Sequence, residues 1–222
     1  MGAVGRVLTS SVGRKLTMAA SGLLLVGFLV VHLSGNLLVF AGRDAFNEYS
    51  EALISNHLIY LAEAALLALF LLHVVQAILV TRANRAARPH GYAVKRRTGP
   101  PSNKSLASST MILSGLVVLL FVPIHLVTFK FGPVYQQADK PETRDLYRLV
   151  LEVYRDPLHV AWYVFAMTVI GFHLWHGFAS GFETLGIASR RWLRHLSMGL
   201  AVLIAGGFAL IPVILFLRGG AS

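Results

Sequence analysis

Residues 16–41 read LTMAASGLLLVGFLVVHLSGNLLVFA, an apolar run that holds one histidine and no charged residue. About twenty such residues in helical form cross the hydrocarbon of a bilayer. The small residues Met18, Ala19, Ala20 and Ser21 imitate a signal-peptide cleavage site. They stand at the start of the run, however, and the run is too long for a signal core, so it reads as a helix of the mature chain. Four further runs of this kind cover about 57–81, 106–129, 158–181 and 195–217. Pro123 and Pro212 fall inside spans, where membrane helices tolerate proline better than soluble ones. The expected fold is an all-α membrane protein, residues 1–222 forming a single transmembrane domain of five bundled helices.

Composition agrees. Only 14% of the 222 residues are charged and 55% are hydrophobic, whereas a soluble domain carries about a quarter charged residues. The net charge of +10 in so apolar a chain points to a bilayer and excludes nucleic acid as the natural partner. Cysteine is absent, which removes disulfides, thiolate metal sites, iron–sulfur ligation and cysteine nucleophiles from this chain. Nine histidines remain to carry any redox or metal chemistry.

The charges sort by loop. Segments 1–15, 82–104 and 182–194 hold 13 basic residues, including Arg14, Lys15, Arg82, Arg96 and Arg97, against the single acid Glu183. The opposite side holds seven basic residues and eight acids, and Glu63 lies within the second span. Positive charge marks the cytoplasmic side, so the N-terminus is expected in the cytoplasm and the C-terminus outside. The 82–104 stretch, with Pro89, Gly91, Gly99, Pro100 and Pro101, reads as a basic connector. Between the third and fourth spans, 141–156 has Leu146, Leu149, Val150 and Val153 at helical spacing, as in a short amphipathic helix on the outer surface. No repeat or low-complexity tract stands out.

Five histidines lie inside spans: His32, His73, His125, His173 and His176. Ionisable groups at that depth are functional candidates, with an interhelical hydrogen bond as the plainer role. At 1.5 Å per residue, His32 is about 25 Å and His125 about 28 Å along helices that enter from inside. His73 and His173 are each about 23 Å along helices that enter from outside. Two pairs therefore form at two levels, His32 with His125 in the outer half and His73 with His173 in the inner half. Two stacked bis-imidazole sites suit two b-type haems, which need no covalent attachment motif. Ser34, Gly35, Gly171 and Gly177 leave room for a porphyrin face or serve helix packing. His176 shares the face of His173 and is the alternative ligand. His57, His90, His159 and His195 fall at span ends or in loops and read as interfacial polar residues. Zinc or a di-metal site would want clustered carboxylates, and Glu63 is the one intramembrane acid. A haem-free transporter would use Glu63 and the histidines as a relay, without needing two pairs at matched depths.

The stretch Arg14-Lys15-x-x-Met18-Ala19-x-Ser21-Gly22 leads into His32-Leu33-Ser34-Gly35-Asn36-Leu37-Leu38-Val39-Phe40, and Phe172-His173-x-x-x-Gly177-Phe178 follows later. With these motifs the chain resembles, over nearly its whole length, the di-haem cytochrome b membrane subunit of succinate dehydrogenases and fumarate reductases. The resemblance implies one axial histidine from each of the first four helices, first paired with third and second with fourth. The glycine four residues after the fourth-helix ligand favours His173 over His176. It further implies an anchor in the bacterial cytoplasmic membrane for a flavoprotein and an iron–sulfur subunit, with no succinate oxidation of its own. Two b haems would pass electrons between the iron–sulfur subunit and menaquinone or ubiquinone, and a higher oligomer of the complex is left open. Gly171 stands where some members carry a proton-transferring glutamate, and the quinone-site carboxylate is Glu48, Glu51 or Glu63 by region. Glu63, about 9 Å into its helix, is placed either to exchange protons with a quinone or to bond a neighbouring helix in protonated form. Arg14, Lys15 and Arg82 are candidates for haem propionates and for receiving the partner subunit. An inner quinone site near Trp175, His176 and Trp192 is a further candidate. A di-haem cytochrome b serving a nitrate reductase or hydrogenase has similar spans and ligands and is the nearest alternative.

Overall fold

The computed structural model describes residues 10–87, 110–187 and 191–219. Most of the 82–104 connector, with His90, Arg96 and Arg97, lies outside these residues. The described residues form helix α1 (Ser11–Leu37, extended by a 3-10 turn Leu38–Ala41), α2 (Arg43–Ile54) and α3 (Leu58–Ala86). They continue with α4 (Met111–His125, extended by a π turn Leu126–Lys130), α5 (Leu146–Val153), α6 (Pro157–Thr184) and α7 (Arg191–Gly219). Five of these, α1, α3, α4, α6 and α7, are long and apolar enough to cross a membrane. The protein is a multi-pass membrane protein.

Helix ends follow the local chemistry. Ser10 caps α1, its hydroxyl accepting from Gly13 N–H at 2.9 Å, and Asp156 caps α6 ahead of Pro157, accepting from Leu158 N–H at 3.0 Å. Asp156 also meets His159 Nδ1 at 2.6 Å. In α4, Pro123 lacks the N–H that an interior helical residue donates, and the helix widens into the π turn directly after His125. Arg144 donates to the Phe129 carbonyl at the end of that turn at 2.9 Å and to the Pro133 carbonyl in the loop beyond it at 3.3 Å.

Helix α6 is central, packing along α1, α4 and α7, while α3 leans on α1. One end of the bundle gathers the start of α1, the end of α3, the start of α4, the end of α6 and the start of α7. Arg14, Lys15, Arg82, Arg85, Arg191 and Arg194 lie there, with Glu183 as the described acid. The far end is covered by α2 and α5. Helix α5 occupies the segment expected to be a short amphipathic helix, and its Leu149 and Val150 are buried within the protein. Helix α2 had no counterpart in the sequence expectations.

A polar clasp joins α2 to α5. Asp145 is buried and accepts from Asn47 at 2.9 Å, from Arg148 N–H at 3.1 Å and from Arg43 Nε at 3.1 Å. Asn47 is fully buried and its carbonyl accepts from Tyr147 N–H at 2.9 Å. Burial alone would raise the Asp145 carboxyl, but these hydrogen bonds and the Arg43 charge hold it below its ordinary value of 3.8. A carboxyl depressed on folding stabilises the fold fully above its unfolded value and ceases to do so as pH falls through the lower folded value. Asp145→Ala should therefore cost about 2–3 kcal/mol, since it strands a buried amide and a helix-terminal N–H. Thermal denaturation in detergent checks this, and the penalty should shrink in acid below pH 3.8.

Candidate site: two histidine pairs between the helices

Helices α1 and α3 pack side by side, as do α4 and α6. Across the bundle, α1 meets α4 and α3 meets α6 through histidine rings. His32 and His125 have ring centroids 5.8 Å apart with planes at 86°. His73 and His173 have centroids 6.5 Å apart with planes at 73°. It is His173, rather than His176 one turn on, whose ring faces His73.

The second nitrogen of each ring decides what the first can do. His73 Nδ1 lies 3.1 Å from the Met18 carbonyl and 3.2 Å from Ser21 Oγ. A carbonyl only accepts, so Nδ1 carries the proton and Nε2 keeps its lone pair. His173 Nδ1 lies 3.0 Å from Ser114 Oγ, whose own proton goes to the Met111 carbonyl at 3.0 Å. His125 Nδ1 meets the Tyr163 hydroxyl at 3.2 Å. The partner of His32 differs: Asn36 Nδ2 is 3.4 Å from its Nδ1 and donates to its backbone carbonyl at 2.8 Å. Aromatic rings wall the His32–His125 level, with Phe28 stacked on His32 at 5.2 Å and Phe121 on His125 at 5.6 Å.

Each pair is spaced so that its two imidazoles could hold one iron between them. A histidine nitrogen sits ~2 Å from a bound metal, so the coordinating nitrogens of a trans pair are about 4 Å apart and the ring centres about 6 Å. Both observed separations are close to that. Two rings on one axis turn freely about it, so steep interplanar angles are compatible. Among the described residues no group of three or more His, Asp or Glu side chains is placed to hold a metal ion. Two imidazoles per site would suffice for a porphyrin iron, whose other ligands the macrocycle itself would supply.

Of the glycines read as admitting a porphyrin face or serving packing, Gly35 and Gly171 pack against neighbours. A Cβ at Gly35 would lie 2.5 Å from the Tyr49 ring, and one at Gly171 would lie 3.1 Å from Ala205 Cβ, so both serve helix packing. The glycines that meet imidazoles are Gly22 and Gly115. A Cβ on Gly22 would press His73 Cε1 at 3.0 Å, whereas one on Gly115 would meet His173 Cε1 at an ordinary 3.6 Å. Gly22→Ala should displace the His73 ring and lower occupancy of whatever that pair binds, while Gly115→Ala leaves it near the unsubstituted level. Bound-cofactor absorbance per chain checks the contrast.

Glu63 is paired. Its carboxylate accepts from Lys130, which ends the π turn of α4, and both side chains are about two-fifths exposed, 42% and 41%. Arg14 and Lys15 lie in the first turns of α1 and Arg82 near the end of α3, all at the basic end of the bundle. His176, Trp175 and Trp192 lie toward that same end, on α6 and at the start of α7.

Sequence reasoning missed Ser114 and Tyr163 and gave Ser21 no role toward His73, although a repeat was there to read. Residues 17–33 are TMAASGLLLVGFLVVHL and residues 110–126 are TMILSGLVVLLFVPIHL. The two stretches share Thr, Met, Ser, Gly, Leu, Phe, His and Leu in register, 93 residues apart. Each places a serine eleven residues before one histidine and beside the ring of another. No family model, curated protein or solved structure matches the chain.

Proposed function

We propose that this chain is the di-haem cytochrome b membrane subunit of a succinate:quinone oxidoreductase, a succinate dehydrogenase or fumarate reductase. The observation that carries the proposal is the pair of imidazole pairs: two levels, ring centres 5.8 and 6.5 Å apart, with Nδ1 of His73 and of His173 facing acceptors so that Nε2 is left for iron. The motif resemblance supplies the succinate half of the proposal. His32 and His125 would hold one b haem and His73 and His173 the other. When bound, the haems supply one-electron transfer between an iron–sulfur partner and a membrane quinone.

The chain's own residues supply position, polarity and proton access. Ser21, Ser114, Met18 and Tyr163 fix the imidazoles. The basic end, with Arg14, Lys15 and Arg82, would face the cytoplasm by the charge rule, in a bacterial membrane if the resemblance holds, and there receive haem propionates and the iron–sulfur and flavoprotein subunits. The far end, with Glu63 and Lys130, faces outward and offers a quinone a charged pair that lipid-phase molecules can reach.

The test is purification of the tagged chain from its native membrane, followed by reduction with dithionite. The expected result is a low-spin b-type α-band of two haems per chain, with flavoprotein and iron–sulfur subunits and succinate–quinone activity. No α-band would overturn the haem assignment and leave a haem-free transporter or scaffold. An α-band with a different catalytic partner would move the chain to another quinone-linked oxidoreductase.

A further inference from the structure

We propose that Ser21 and Ser114 are a matched pair of positioning residues that set the redox potential of one haem only, that of the His73–His173 pair. The proposal rests on the di-haem reading above and deepens it. A serine inside a helix ordinarily spends its hydroxyl proton on the carbonyl of the preceding turn. Both serines do so, Ser21 to Met18 and Ser114 to Met111, each at 3.0 Å. What sets them apart is where the remaining lone pairs go. Each Oγ lies on an imidazole of a different helix, His73 at 3.2 Å and His173 at 3.0 Å. With its proton committed, each hydroxyl faces Nδ1 as an acceptor. Both rings are thereby held in the tautomer that leaves Nε2 for iron, and both become stronger donors to it.

The arrangement occurs twice, in α1 and in α4, within the same Thr-Met-x-x-Ser-Gly-Leu frame. The adjoining Gly22 and Gly115 keep the approach to each ring free of a Cβ. The other pair has no such serine: His125 meets a tyrosine hydroxyl and His32 an asparagine amide. The two levels are thus tuned by different chemistry. An imidazole that donates more electron density favours the oxidised iron, so the serines hold that haem's potential down. They are not equivalent, because His73 keeps the Met18 carbonyl at 3.1 Å if Ser21 is removed. His173 has Ser114 Oγ as its described Nδ1 partner.

The test is potentiometric titration of both haems in the intact complex carrying Ser114→Ala, Ser21→Ala, and the Thr variants that retain a hydroxyl. Ser114→Ala should raise one of the two midpoint potentials and leave the other unmoved. Ser21→Ala should move the same haem by less, and Ser114→Thr should restore the original value. Loss of that haem in Ser114→Ala with retention in Ser114→Thr supports the same positioning role. Two unmoved potentials in Ser114→Ala, equal movement of both haems, or loss of the haem in Ala and Thr variants alike would each overturn it. A missing α-band in the unsubstituted chain sinks the di-haem reading and this proposal together, whereas an α-band with unmoved potentials sinks this proposal alone.

Discussion

Under the di-haem proposal, His73→Ala and His173→Ala should each abolish the same haem, and His32→Ala and His125→Ala the other, so that every single variant keeps one haem of two. The geometry makes the effects non-additive in a defined way. Within a pair, removing the second histidine costs nothing more, because one trans ligand is already gone. Across pairs, as in His32→Ala with His73→Ala, both haems go. The measurement is dithionite-reduced α-band absorbance per chain for the four singles and the six doubles. Two doubles should match the singles, and the four cross-pair doubles should lie near zero. The pairing follows from ring contacts of 5.8 and 6.5 Å, each between helices that are not sequence neighbours. His173→Ala also separates the two candidates on α6, since retention of both haems would transfer the ligand role to His176.

The five long helices were legible because hydropathy is a bulk property of each segment and needs no partner to be read. Their ends were less so. Helices α1 and α7 begin at Ser11 and Arg191 and α3 runs to Ala86, each several residues beyond the apolar run on the basic side. Arginine and lysine stay helical there by reaching their charges outward along the stem. The depth arithmetic paired the histidines whose rings lie 5.8 and 6.5 Å apart, because rise per residue is fixed by the helix itself. It said nothing of azimuth, so rise alone did not choose between His173 and His176, of which His173 is the one whose ring faces His73. Helix α2 was invisible because it is polar and short, and its Asn47 and Asp145 partners lie 98 residues apart. Lys130 was counted with the outer loop, yet the π turn after Pro123 carries the helix through it and brings it to Glu63. Ser21 and Ser114 were hidden in plain view. A serine in an apolar helix looks like filler even inside a quoted motif, and the second copy of its frame 93 residues on is the signal that ties it to a histidine.

Removing Glu63 or Lys130 singly should damage the protein more than removing both. The ion pair joins α3 to α4, two helices that otherwise pack on different neighbours, α3 on α1 and α4 on α6. Helix α3 depends on few contacts within the chain: 6% of its most apolar window is buried, against 33% for α7. Glu63→Leu leaves an ammonium, and Lys130→Leu a carboxylate, without its partner in a membrane-spanning helix. A charge at a span centre costs about 3 kcal/mol, and less near a helix end such as these. Glu63→Leu with Lys130→Leu removes both charges and should recover most of the loss, since an apolar pair replaces an ion pair at little cost. Thermal stability in detergent, followed by the haem α-band, checks the order of the three variants. Activity should break from stability. Both side chains of the pair are partly exposed, and under the proposed function its carboxylate passes protons to a quinone. The double variant should therefore keep both haems and accept electrons from succinate while quinone turnover falls about 100-fold. Glu63→Gln, which preserves shape, should show the same split. Turnover at the original rate in the stable double variant would reduce the pair to a latch between α3 and α4. The proton role would then pass to Glu48 or Glu51 of α2, of which Glu48 is already engaged by Lys140 at 3.3 Å.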